Sequence, residues 1–261
     1  MYVNNKIVFF DIDGTLVDHN KDIPRETVRA IELLKECGIY VAIATGRAPF
    51  MFEDIRKKLA IESFVSFNGQ YVVFEGETVY EHPITKTNLV TLYKQATSGG
   101  HPMVFMTNND MKASIEGHPD IKNSLASLKF HYPEVDPDFL HKTTIYQALL
   151  FCKDKEEASY VNASEQLRFI RWHDYSCDVL PNGGSKAVGV EKLIEASGLK
   201  VEDSYAFGDG LNDLEMIKHV GTGIAMGNAI EELKQIADYV TDDVDNGGIV
   251  KGLRHLGLLT K

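Results

Sequence analysis

Two carboxylates spaced two residues apart, Asp11 and Asp13, follow the apolar run Ile7-Val8-Phe9-Phe10 and precede Gly14-Thr15. Negative charges this close are unfavourable unless a cation lies between them or one of them keeps a proton. The pair therefore reads as a metal-dependent catalytic site, with an Asp-rich turn as the plain structural alternative. Three more polar clusters follow an apolar run or open a helix: Thr45-Gly46-Arg47, Gly183-Gly184-Ser185-Lys186 and Gly208-Asp209-Gly210-Leu211-Asn212-Asp213. Each has a structural reading of its own. Thr45-Gly46 suits a helix N-cap. Lys186 suits a solvated lysine at a helix start, but a cation there opposes the helix dipole, and a bound anion would resolve the conflict. The stretch Gly208-Asp209-Gly210 begins like a dinucleotide loop, yet Asp213 stands where the third glycine belongs, which excludes it. Asp243 and Asp245 suggest a calcium loop, but Gly247 and Arg254 replace two of its ligands.

These clusters need a scaffold that delivers them to one place. Ile7–Phe10 reads as a strand buried on both faces, as in a parallel sheet. Residues 22–37 predict a helix, with Pro24 in its first turn, an apolar face of Val28, Ile31, Leu33 and Leu34, and Gly38 as its stop. A strand at 39–44 and a helix at 49–59 continue the rhythm of parallel strands with right-handed crossovers. The segments 64–67 and 71–74 flank Asn68-Gly69, a hairpin signal, and 78–80 extends the meander. From 83 to 181, strands near 103–107, 112–115, 145–152, 169–172 and 177–180 mix with helices near 88–96, 120–128 and 155–167. That pattern predicts an α+β unit with an antiparallel sheet. The parallel rhythm returns with helices at 186–196, 212–218 and 229–237, strands at 204–207 and 223–226, and a last helix up to about 256. The expected organisation is a core of 1–82 and 182–261 interrupted by an inserted domain at 83–181. The carboxyl ends of parallel strands are where such sheets bind ligands, and all four clusters fall on that edge.

Composition narrows the function. With 261 residues, 44% hydrophobic and 25% charged, the chain can build a core of ordinary proportions. A formal net charge of -11 argues against nucleic acid or an anionic membrane as partner. No apolar run reaches the length of a membrane span. Cys37, Cys152 and Cys177 are odd in number and lack metal-ligand spacing, which predicts buried thiols in a reducing compartment, hence a cytoplasmic protein. Asn162-Ala163-Ser164 matches a glycosylation acceptor by chance.

In this order, the four clusters resemble the haloacid dehalogenase superfamily of phosphohydrolases, and the place of the insertion resembles its Cof-type branch with a C2 cap. Asn68-Gly69, Ala225-Met226-Gly227-Asn228-Ala229 and Asn246-Gly247-Gly248 extend the resemblance along the chain. It implies an α/β fold with a Rossmann-like parallel core and an inserted α+β cap. It implies Asp11 as the nucleophile forming an aspartyl-phosphate, and Asp13 as the acid and base. It implies Mg2+ held by Asp11, the Asp13 main-chain carbonyl and Asp209. Thr45, Gly46, Lys186 and Asn212 would bind the phosphate, with Asp213 supporting from behind. The expected substrate is a small-molecule phosphate ester, with sugar phosphates or cofactor phosphates as examples. A phosphomutase using the same intermediate, a phospho-accepting signalling domain and a silent phosphate binder are the alternatives. Tyr71, Met111, Trp172 and His173 are weaker candidates for facing the substrate.

Overall fold

Four consecutive apolar residues with no polar alternation are satisfied only inside a sheet covered on both faces. In the computed structural model, which describes residues 5–259, Ile7–Phe10 forms such a strand, β1, with all four side chains at 0% exposure. The chain continues through α1 (Arg25–Glu36), β2 (Tyr40–Ala44), α2 (Glu53–Leu59), β3 (Ser63–Ser66), β4 (Tyr71–Phe74) and β5 (Glu77–Glu81). Next come α3 (Lys86–Ser98), β6 (Met103–Met106), β7 (Met111–Ala113), α4 (Pro119–Ser127), α5 (Phe139–Lys142), β8 (Gln147–Leu150), α6 (Asp154–Val161), β9 (Leu167–His173) and β10 (Ser176–Pro181). The last stretch holds α7 (Lys186–Ser197), β11 (Ser204–Gly208), α8 (Leu214–His219), β12 (Thr222–Ala225), α9 (Glu231–Lys234), β13 (Tyr239–Val240) and α10 (Gly248–His255).

Two compact units result. One comprises the described residues up to Arg47 together with Phe52–Glu81 and those from Ser185 onward. Its eight-stranded sheet has the order β13-β12-β11-β1-β2-β3-β4-β5. The sheet is parallel from β13 through β3, and β4 and β5 add an antiparallel edge. β1 lies inside the sheet, with Phe10 beside Ile43 on one side and Phe207 on the other. The other unit is Ala48–Met51 with His82–Gly184, built on an antiparallel sheet of order β7-β6-β8-β10-β9. The α/β architecture with a Rossmann-like parallel core and an α+β unit in its middle is the one this chain adopts. Among the described residues no helix is long and apolar enough to cross a membrane.

Some elements depart from expectation. The buried face of α1 is Thr27, Ala30, Ile31 and Leu34, a run of i, i+3, i+4 and i+7, with Val28 and Leu33 only half-buried at its margins. Asn68-Gly69 is not a two-residue turn: Ser66 pairs with Tyr71, and Phe67–Gly69 forms a 3-10 turn in which Phe67 and Asn68 both have positive φ. The predicted helix at 155–167 ends at Val161, and the one at 229–237 shrinks to Glu231–Lys234. The segment near 212 is a 3-10 turn, Leu211–Asp213, before α8 begins. Short α5 and β13 carry too few residues to show a period.

Candidate active site

A chain leaving a buried strand must turn without leaving its backbone amides unpaired. After β1 it coils tightly: Leu16 N donates to the Asp11 carbonyl at 3.2 Å, and Val17 N to that of Ile12 at 2.9 Å. Gly14 makes the coil possible. Its φ is +77°, and a Cβ there would fall on the Asp209 carboxylate. Asn228 fastens the coil from the far side, its Nδ2 donating to the Gly14 carbonyl at 2.8 Å. The Ala225–Ala229 run thus has a structural task.

Asp11, at 6% exposure, lies at the end of β1. Lys186, in the first turn of α7 and 1% exposed, places Nζ 2.5 Å from Asp11 Oδ1 and 2.7 Å from Asp213 Oδ1. The other Asp213 oxygen accepts the amides of Asp209 and Gly210, each at 3.0 Å. Asp213 therefore shapes the loop after β11 while it shares the lysine charge. Thr15 Oγ1 donates to Asp209 Oδ1 at 3.1 Å, joining the two loops. One carboxylate oxygen from each of Asp11, Asp209 and Asp213 lies within 4.8 Å of the others. Burial, opposed by Lys186 and reinforced by Asp213 and Asp209, pushes the Asp11 carboxyl up to about 8. Burial and the Asp213 charge bring Asp209 to about 6. Burial works against the Lys186 charge, but Asp11 and Asp213 outweigh it and hold the ammonium well above its usual range. Crowded hard oxygens whose ionisation is hindered by mutual repulsion are a donor set that a small divalent cation fits.

Asp13 points elsewhere. Its Oδ1 accepts Arg47 Nη2 and Lys21 Nζ, both at 2.6 Å, and its Oδ2 accepts Arg47 Nε at 2.9 Å. Burial alone would raise its pKa, but these two cations bring it below the usual carboxylate range. Its side chain is outside the carboxylate trio. Thr45 is 2% exposed at the end of β2, and its Oγ1 accepts the Arg47 amide at 3.1 Å. Gly46 lies against Asn68, whose side-chain atoms would be 3.0–3.3 Å from a Cβ at that position. Asn68 Oδ1 in turn accepts Asn212 Nδ2 at 3.1 Å.

The predicted residues thus fall into three linked groups: Asp11, Lys186, Asp209 and Asp213; Asp13 alone with Arg47 and Lys21; and Thr45, Gly46 and Asn212 along Asn68. Sequence reasoning names Asn68, Thr15 and Arg47 without giving them a role, and misses Lys21. Asn68 was hidden inside a turn signal. Lys21 has no motif, although a non-glycine residue with φ +65° signals a loop fixed by its surroundings. Tyr71 belongs to β4 of the core sheet, with its hydroxyl against Thr78 Oγ1 at 2.8 Å, so it is a structural residue.

Residues 8–253 match the haloacid dehalogenase-like hydrolase family. The chain belongs to that family. YkrA of Bacillus subtilis (strain 168), named as a phosphatase by class and not by substrate, is 49% identical over 98% of this chain and 100% of its own length. A protein of Geobacillus kaustophilus HTA426, known by its crystal structure, is 57% identical, with a TM-score of 0.95 over 97% of this chain and 99% of that one. The sugar phosphatase BT4131, of haloacid dehalogenase subclass IIB, is 30% identical, with a TM-score of 0.85 over 97% of this chain and 100% of that one. This member of the family is a hydrolase of the phosphatase class.

Proposed function

We propose that the chain is a magnesium-dependent phosphatase that hydrolyses small phosphorylated metabolites through an aspartyl-phosphate on Asp11. The observation that carries this reading is the buried Asp11 carboxylate held 2.5 Å from Lys186 at the end of a central parallel strand. An Asp11 oxygen attacks phosphorus while the bond to the alcohol oxygen breaks, and Asp13 gives that oxygen its proton. Water then attacks the phosphorus of the acyl phosphate, Asp13 takes its proton, and phosphate leaves with Asp11 restored. For the proton steps, Asp13 must release Arg47 and Lys21, take up a proton from solvent, and turn that proton toward the reacting oxygen. Thr45, the Gly46 amide and Asn212 steady the phosphoryl oxygens, and Lys186 offsets their charge beside Asp11. Asp11, the Asp13 main-chain carbonyl and Asp209 would hold magnesium, with Asp213 fixing Asp209 from behind. Bound there, the cation supplies positive charge to the phosphoryl group and relieves the carboxylate repulsion. Residues 83–181 serve as a cap that excludes water and reads the alcohol.

Monoester hydrolysis can require acceleration of up to ~10²¹. Proton transfer supplies ~10²–10⁴ of it, so preorganised charge around the phosphoryl group carries most of the rest. The test is release of phosphate from p-nitrophenyl phosphate. We expect turnover with magnesium, none with excess chelator, and a loss of at least ~10³ in kcat for Asp11→Asn, which removes the attacking oxygen. An Asp11→Asn protein that is folded by circular dichroism and still turns over at the wild-type rate would overturn the nucleophile assignment.

A further inference from the structure

The loop that follows the Asp11 coil carries a cation that the steps above leave without a task of its own. Val17 bridges back to Asp13, and the chain then closes a tight turn in which Asp18 N donates to the Asp22 carbonyl at 2.9 Å. The Asp18 carboxylate accepts the amides of Asn20 and Asp22, both at 2.9 Å, and its carbonyl accepts the Lys21 amide at 3.0 Å. These bonds hold Lys21 at a φ of +65°, a conformation that L side chains adopt only at a cost. The loop so built sets the lysine ammonium 2.6 Å from Asp13 Oδ1.

The ion pair alone does not repay that arrangement. Arg47 already takes Asp13 through Nε at 2.9 Å and Nη2 at 2.6 Å, so one guanidinium matches the one carboxylate. Lys21 is a second cation on the same charge. Its side chain is 37% exposed, and an ion pair in such a place adds little stability. Asp13 takes one N–H of the ammonium, which has others to offer a second acceptor. Asp13 is also the group that meets the leaving oxygen in the reaction proposed above. Rotation of a side chain moves its carboxyl by a few ångströms only, so the alcohol carbons beyond that oxygen come close to Lys21. When Asp13 carries its proton there, Lys21 loses its counter-charge, and an anion on the alcohol portion can take the vacated place. In a chain of net charge -11, a cation held at this point selects for such an anion.

We propose that Lys21 binds a second anionic group, a carboxylate or a further phosphate, carried on the alcohol portion of the substrate. This rests on the phosphatase reading and narrows its substrate class. 3-Phosphoglycerate and glycerol 3-phosphate differ in a carboxylate against a hydroxymethyl group. Fructose 1,6-bisphosphate and fructose 6-phosphate make the same comparison for phosphate. With magnesium present, kcat/KM is expected to favour the anionic member of at least one pair about tenfold, the scale of one charge-assisted hydrogen bond. The pair that shows the preference identifies the anion. Lys21→Met should bring that ratio down to about one, Lys21→Arg should keep most of it, and Lys21→Glu should invert it. Each ratio is taken within one protein, so a partial loss of folding cancels. The proposal is overturned if neither anionic ester is preferred, or if Lys21→Met leaves the ratio as it was. If p-nitrophenyl phosphate and all four esters resist hydrolysis, the phosphatase reading falls, and calorimetric titration with the same esters decides for Lys21. An anionic ester bound more tightly than its neutral counterpart by the wild type, but not by Lys21→Met, upholds the anion site. The same order of binding in both proteins, or no difference in either, overturns it.

Discussion

A lysine ammonium with no exposure stays charged only beside compensating carboxylates, and Lys186 has two, Asp11 and Asp213. Removing the cation leaves both carboxylates buried and uncompensated. Lys186→Met is therefore expected to cost about 3–5 kcal/mol of stability, read from urea unfolding. Adding Asp213→Asn should recover part of that loss without restoring turnover, and a double variant no more stable than the single would count against the shared-charge account. At this scale the sequence was legible where a residue type sits in an unmistakable local pattern, as Asp11, Asp209 and Asp213 do. Lys186 announced itself by standing against the helix dipole. Asn68 and Lys21 were not legible, because their importance lies in partners far along the chain: Asn212 for one and Asp13 for the other.

Elements were legible in proportion to how much of their pattern was internal to them. β1 and most of β2 and β11 are apolar runs buried on both faces, and they read directly. The connection between β3 and β4 was misread because Asn68 adopts positive φ for a four-residue loop that presents its amide to Asn212, not for a two-residue turn. α7 shows what local pattern leaves out. A Cβ at Gly189 would stand 2.8 Å from the Gly69 Cα and collide with Val65, so the helix packs on β3 through a bare backbone. Gly189→Ala should lower stability by about 1–3 kcal/mol, visible as a lower Tm; an unchanged Tm would mean the contact is slack. In the second sheet, Asp178 gives a signed pH effect. Its pKa rises from 3.8 to about 8 on folding, so between those values only the folded state holds the proton. Stability from this group is full below pH 3.8 and is lost as pH rises to about 8. Asp178→Asn should flatten that slope in denaturant unfolding followed across pH, and an equally steep slope would place the titration elsewhere.

For the molecule as a whole, a net charge of -11 and a crowded trio of carboxylates mean that anionic substrates meet an unfavourable field unless local cations offset it. If magnesium binds the folded chain at that trio, it stabilises the chain by mass action, about 2.7 kcal/mol at a concentration a hundredfold above Kd. Calorimetry with and without magnesium should show the rise in Tm, and Asp209→Asn should abolish it. A rise that survives Asp209→Asn would locate the cation at another site.

The placement of β1 has one more consequence, in the order in which the protein is made. Ile7 pairs with Tyr40 on one side and with Ser204 on the other. On a ribosome the first partner emerges early and the second very late, after the entire antiparallel unit has been synthesised. Until then the strand leading to Asp11 presents a bare edge, the kind of template that invites pairing with other chains. The sheet from β6 to β10 has all its strands in hand by Pro181 and needs nothing that follows to complete its ladder. A chain released before Ser204 would thus carry a finished insertion beside an open parallel edge. It would be sticky, and without Asp209 and Asp213 it would have no place to gather a cation.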